Sequence, residues 1–224
     1  MRYREVRAAR FIERPNRFIA QVELDGKTET VHVKNTGRCR ELLLPGAEVY
    51  LSYDPNPLRK TAYDLIAVVK GSRLINIDAQ APNAVFAEWM QAQRGDVSLW
   101  PEYSFGASRF DFRIDTPHGM ELTEVKGVTL EQNGHVSFPD APTERGVKHL
   151  RGLTAAAAAG IPSTVFFVIQ MERVLDFSPA KDIHPEFAAA LIEAKAAGVR
   201  VLAYDCHVTA DSLTLQSAVP VLLP

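Results

Sequence analysis

Along the first third of the chain, apolar and polar side chains alternate in short runs, the period-two signature of half-buried strands. Residues 18–24 alternate and stop at Asp25-Gly26, a hairpin signal, and residues 28–33 answer as the partner strand. Asn35-Thr36-Gly37 predicts a turn, and residues 38–44 a short helix or an irregular segment before Pro45-Gly46. Residues 48–53 and 63–70 predict two more strands, bridged by a polar loop over 54–60. Short strands packed this densely between Arg4 and Ile77 point to a small barrel of OB type; an SH3-like barrel leaves a similar trace.

From about Asp78 the pattern changes. Asn83 predicts the cap of a helix running through Gln93 and ending at Gly95. Strands are expected at 100–105, 109–115 and 121–130, then a long helix over 143–159 with Gly160 after it. Residues 164–171 are β-branched and aromatic without alternation, as in a strand covered on both faces. A helix over 185–197 follows, with Pro185 near its start and Gly198 just past its end. Residues 199–204 read as another buried strand and 212–215 as an edge strand. The expected fold is therefore mixed α/β: an OB-like barrel over 1–78, then a second domain over 79–224 in the order α-β-β-β-α-β.

Composition narrows the class. With 46% apolar and 23% charged residues, the 224-residue chain has what a globular core needs. Two distant cysteines, Cys39 and Cys206, provide neither a disulfide framework nor a zinc motif, so a reducing, cytoplasmic setting is expected. The charged start at Arg2 and Arg4 predicts no signal peptide, and the apolar stretch near 155–169 is broken by Gly160 and Pro162, so no membrane span is expected. The net charge of −2 hides an asymmetry. Residues 1–78 carry 14 Lys and Arg against 10 Asp and Glu, and the remainder carries 11 against 17. A basic part beside an acidic one suits a phosphate-gripping module joined to a metal-gripping one.

The candidate chemistry lies in Ser108-Arg109-Phe110-Asp111-Phe112 and Glu124-Val125-Lys126. In a strand, Glu124 and Lys126 project to one face while Val125 turns into packing. Upstream, alternation places Phe110, Phe112 and Ile114 on one face and Asp111, Arg113 and Asp115 on the other. Antiparallel pairing through the Thr116-Pro117-His118-Gly119 turn would bring Asp111 to Glu124. Two such carboxylates are what Mg²⁺ or Mn²⁺ takes from a protein that also offers it substrate phosphates, and Lys126 would position or activate water. Glu-x-Lys alone is a frequent chance pattern; the Asp strand at meander distance gives it weight.

That element order, with Asp on the second strand and Glu-x-Lys on the third, resembles the PD-(D/E)XK nuclease core. The residues Arg17-Phe18, Asn35-Thr36-Gly37, Ser108–Phe112 and Glu124–Leu130, the block 138–150 (Phe-Pro-Asp-Ala-Pro-Thr-Glu-Arg-Gly-Val-Lys-His-Leu) and Phe177-Ser178-Pro179-Ala180 together resemble the sugar fermentation stimulation protein A (SfsA) family. The resemblance spans nearly the whole chain. It implies an OB-like first domain, a nuclease-like second domain, non-specific DNA binding and a link to regulation of sugar (maltose) metabolism. Two positions depart from the patterns: Phe110 instead of Pro precedes Asp111, and Lys34 stands where the family commonly has Pro.

Supporting residues follow. Glu88 lies where such nucleases often place another acid, or it is a solvated helix-face glutamate. Arg145, Lys148 and His149 on the long helix would face the site and hold a scissile phosphate; an oxygen-rich Mg²⁺ site does not call for His149 as a ligand. Asp140 would cap that helix or add a carboxylate. In the first domain Arg14, Arg17, Lys34, Arg38, Arg40, Arg59 and Lys60 fall in loops and strand ends, with Tyr3, Phe18, Tyr50 and Tyr53 as aromatic faces, and Phe18 and Tyr50 expected in the barrel core. The expected partner is nucleic acid, DNA before RNA, and the expected activity a metal-dependent nuclease. The alternative is a DNA-binding regulator on a nuclease scaffold.

Overall fold

In the computed structural model, which describes residues 1–35 and 37–223, the first domain is a closed barrel. Its strands are β1 (Val6–Glu13), β2 (Ile19–Leu24), β3 (Lys27–Val33), β4 (Glu48–Tyr53), β5 (Tyr63–Lys70) and β6 (Arg73–Asn76). The sheet runs β3-β2-β1-β4-β5-β6, and β3 closes it on β5 in parallel, His32 beside Asp64 and Val33 beside Leu65. Alternation works as expected here: Ala20, Val22 and Leu24 point inward, as do Val49 and Leu51. Residues 38–44 are irregular. Thr36, in the expected turn, lies outside the described residues.

The second domain opens with α1 (Ala81–Arg94) and the meander β7 (Ser98–Phe105), β8 (Ser108–Thr116) and β9 (Gly119–Val128). After β10 (Leu130–Gln132) and β11 (His135–Phe138) come α2 (Glu144–Ala158), β12 (Ser163–Ile169), β13 (Asp176–Pro179), α3 (Pro185–Ala196), β14 (Arg200–Val208) and β15 (Leu213–Ala218). Six strands form one mixed sheet, β15-β14-β12-β9-β8-β7, with β9, β12 and β14 parallel. Val85 and Phe86 of α1 cover one face through Phe112, Val125 and Phe166; Val147, Leu150 and Leu153 of α2 cover the other through Phe110, Leu122 and Phe167. All seven residues of β12 are buried, which explains its unbroken apolar run. The small sheet β10-β11-β13 has no counterpart in the periodicity, because it depends on a parallel pairing of His135–Phe138 with Asp176–Pro179 across intervening elements.

Two expected caps change. The first helix starts at Ala81, with Pro82 in its first turn, so Asn83 lies inside it. The second is capped by Thr143, whose hydroxyl accepts from the Gly146 N–H at 3.1 Å, and not by Asp140. Among the described residues no helix is long and apolar enough to cross a membrane.

Candidate active site

The meander positions the first carboxylate by parting. Residue pairing between β8 and β9 runs from Thr116–Gly119 to Phe112–Thr123 and goes no further. One residue on, the Asp111 carboxylate takes the place of a backbone partner: its Oδ2 accepts from the Val125 N–H at 2.8 Å, and its Oδ1 from Asn83 Nδ2 at 3.0 Å. Strict alternation fails at this point. Phe110 packs on the α2 side against His149, whereas Phe112 and Ile114 pack on the α1 side with Phe86 and Val125. The switch of faces between Phe110 and Phe112 leaves Asp111 at the opening between the strands.

Glu124 is only 1% exposed and carries the rest of the cluster. Its Oε1 accepts from both Lys126 Nζ and His149 Nδ1. Its Oε2 is buried and has no hydrogen-bond partner among the described residues. Gly152 lets α2 come this close, since a Cβ there would stand 2.5 Å from Ser108 Oγ. On the outer side of His149, Arg145 Nε approaches Nε2 at 3.4 Å, an arrangement that leaves the ring proton on Nδ1 facing Glu124.

Burial drives both carboxyls toward the neutral form, and their neighbours decide differently. For Asp111, burial and then the charge of Glu124 raise the pKa, outweighing Lys126, the Val125 N–H and Asn83. For Glu124, burial is overcome by His149 and Lys126, which hold the carboxyl below its usual range. One acid is kept charged and the other is strained by it, a disposition common at reactive sites.

Asp111, Glu124 and Lys126 are thus brought together as the spacing predicts, and Arg145 and Lys148 lie exposed at the start of α2, Arg145 against His149. Other expectations are corrected. Glu88 stays outside the cluster, 60% exposed and paired with the Met1 amine; the α1 residue that reaches Asp111 is Asn83. His149 is buried against Glu124, so it does not present itself to a phosphate. In the barrel, Arg14 spends its guanidinium on the carbonyls of Arg17, Asn35, Gly37 and Arg38, at 2.6–2.8 Å. Lys34 pairs with Asp64 at 2.8 Å, and Arg59 pairs with Asp54 and Asp64. Arg17, Arg38, Arg40 and Lys60 remain exposed. Phe18 and Tyr50 are not barrel core: Phe18 precedes β2 at the barrel mouth and is 51% exposed, and Tyr50 points away from Val49 and Leu51 to donate to Glu48 at 2.6 Å.

Sequence reasoning missed Asn83 and the Glu124–His149 contact. Pro82 was the available signal for the first, because proline favours the opening turn and moves the helix start ahead of Asn83. No local signal marks the second, which joins residues on different elements.

Comparison with known proteins agrees with this architecture over the whole chain. Residues 12–77 match the family model described as the SfsA N-terminal OB domain, and residues 80–212 the one described as the sugar fermentation stimulation protein RE domain. Sugar fermentation stimulation protein homologues from Desulfitobacterium hafniense (strain Y51) and Clostridium beijerinckii are 52% and 51% identical to it, covering 100% of this chain and 99% and 100% of theirs. A solved structure of Pyrococcus furiosus SfsA in complex with Ca²⁺ superposes with a TM-score of 0.89 at 26% identity, covering 99% of this chain and 98% of that one.

Proposed function

The chain belongs to the sugar fermentation stimulation protein (SfsA) family, and from that premise we propose that it hydrolyses phosphodiester bonds in nucleic acid, DNA foremost, at the Asp111–Glu124–Lys126 cluster. The observation that carries this reading is the buried Oε2 of Glu124, without a hydrogen-bond partner among the described residues, beside a second carboxyl whose pKa burial and that charge raise. A buried acceptor without a partner is costly, and two neighbouring acids want a cation. Among the described residues no group of three or more His, Cys, Asp and Glu side chains is arranged around a metal; a pair of carboxylates is nevertheless the usual protein share of a Mg²⁺ or Mn²⁺ site. The residues therefore fit a divalent cation held by Asp111 and Glu124, and the Ca²⁺ complex of the Pyrococcus relative supports the same class of ion. When bound, such an ion would offset charge on the phosphate and acidify water.

The chain's own groups supply the rest. His149 and Lys126 hold Glu124 in one orientation, and Asn83 and the Val125 N–H hold Asp111. Lys126, as an ammonium, donates to the attacking water or to a non-bridging oxygen and so orients the reactants. Arg145 and Lys148 meet flanking phosphates. The water oxygen bonds to phosphorus as the ester P–O bond breaks; the departing oxygen gains a proton and the water loses one, so the step is a redox-neutral hydrolysis. The two buried free cysteines suit a cytoplasmic protein.

Cleavage of labelled single- and double-stranded DNA and RNA in Mg²⁺, Mn²⁺ or EDTA tests the reading. Glu124→Gln and Lys126→Ala should each lower the rate by about 10²–10³-fold while leaving binding intact. Cleavage that survives both substitutions would remove the assignment. Binding without any cleavage by the wild type would instead favour the DNA-binding regulator of sugar metabolism.

A further inference from the structure

The barrel cations fall into two groups. Arg14, Lys34 and Arg59 are consumed by internal bonds. Some exposed arginines meet acids, as Arg7 meets Asp25, Arg2 meets Asp211 and Arg151 meets Glu186. Arg17, Arg38 and Arg40 do neither: they are exposed, form no ion pair among the described residues, and line one groove of about 560 Å³ whose only acid is Glu13. At its mouth the Arg17 guanidinium lies 4.9 Å over the ring of Phe18, and Ile12 and Leu44 add exposed apolar surface nearby. The walls are fixed beforehand, because Arg14 bonds the Arg17 carbonyl of its own loop and, across the groove, the carbonyls of Asn35, Gly37 and Arg38.

Gly37 stands between the groove and a separate polar cleft of about 150 Å³ whose lining includes Gly127 and Asp140. The Asp140 carboxylate packs directly against Gly37, where a Cβ would collide with it, so the groove is walled on that side.

Resting on the nucleic-acid reading above, we infer that the barrel groove binds a single-stranded segment, with phosphates on Arg17, Arg38 and Arg40 and a base against Phe18. Unpaired bases offer faces for stacking while cations follow the backbone; a duplex keeps those faces inside. The substrate class is thus a single strand, or a duplex with a single-stranded end.

Fluorescence anisotropy in EDTA tests this, using a labelled oligothymidylate of about 12 nucleotides and a hairpin duplex of matching length. The wild type should bind the oligothymidylate more tightly. Arg38→Ala/Arg40→Ala should weaken it at least about tenfold and flatten the salt slope by roughly 1.4, two phosphates at ~0.7 each. Phe18→Ala should weaken it about tenfold, and Lys27→Ala, at the far hairpin, should leave it unchanged. Photocrosslinking of an iodouracil-substituted strand to the wild type should map to the Phe18 region, a readout that needs no variant. Unchanged affinity in the double variant, equal affinity for the duplex, or equal competition by inorganic polyphosphate with no effect of Phe18→Ala would overturn the groove. The nuclease reading is judged separately, because Lys126→Ala should lose cleavage yet keep this binding.

Discussion

Two buried carboxylate clusters sit on paired strands of this protein, and they are built to opposite ends. In the barrel, Asp64 on β5 faces His32 on β3 and is surrounded: His32 at 3.0 Å, Lys34 at 2.8 Å and both Arg59 guanidinium nitrogens reach its two oxygens. Burial would raise its pKa, but Arg59, Lys34 and His32 together bring it below the usual range. In the second domain, Glu124 receives both of its contacts on one oxygen and leaves the other without a partner among the described residues, while Asp111 beside it is pushed up. Asp64 is met by cations on both oxygens; Glu124 is met on one, and Asp111 only by neutral donors, the Val125 N–H and Asn83. The first arrangement closes a barrel, and the second is the one to which the proposed function assigns a divalent cation.

The comparison can be broken most sharply by removing one acid from each cluster. Asp64→Ala should cost about 3 kcal/mol or more, since it leaves Lys34 and Arg59 partly buried without their counter-charge. Asp111→Asn should leave stability unchanged or raise it, because it relieves repulsion from Glu124. Urea unfolding decides between them, and equal losses would mean that the two clusters do the same job.

Divalent cation sharpens the contrast at a smaller scale. Mn²⁺ at a hundred times its dissociation constant should stabilise the fold by about 2.7 kcal/mol, read as a rise in melting temperature. The rise should vanish in Glu124→Gln and persist in Asp64→Asn. A rise that survives Glu124→Gln places the ion elsewhere.

The smallest effect is in pH. Asp64 is depressed in the folded state, so its stabilisation is complete above its unfolded pKa of about 3.9 and is lost as pH falls through the folded value. The stability gap between wild type and Asp64→Asn should therefore narrow on acidification. Asp111 is raised, so its folded state holds a proton more firmly than the unfolded chain does, and its cost at neutral pH disappears as pH falls through the raised value. The gap between Asp111→Asn and wild type should have the opposite sign, the variant being the more stable near neutrality, and it too should close on acidification. Unfolding midpoints measured from pH 7 downward check both signs, and two gaps of the same sign would contradict them.

Much of this was legible before any fold was known. Val49 and Leu51 announce β4 at its observed bounds, the unbroken run from Thr164 announces a central strand, and Pro185 and Gly198 bracket α3. Glu124 and Lys126 share a face because a pleated strand allows nothing else. Asn83 was misplaced for want of weighing Pro82, and Phe18 because alternation was extended one residue ahead of the start of β2.

The chain alone determined where the main strands and helices run and that Glu124 and Lys126 point together, since these depend on dihedral preferences and burial periods acting over a few residues. Tertiary structure alone decided which charges meet. Arg14 and Arg17 read alike in sequence, yet one is spent on four carbonyls and the other faces solvent. Asp111 leaves the alternation because β8 and β9 part there, and Glu124 acquires His149 because α2 crosses at Gly152. A charge in water is cheap and uninformative; its meaning appears once folding withdraws the solvent and leaves it with the few partners within reach.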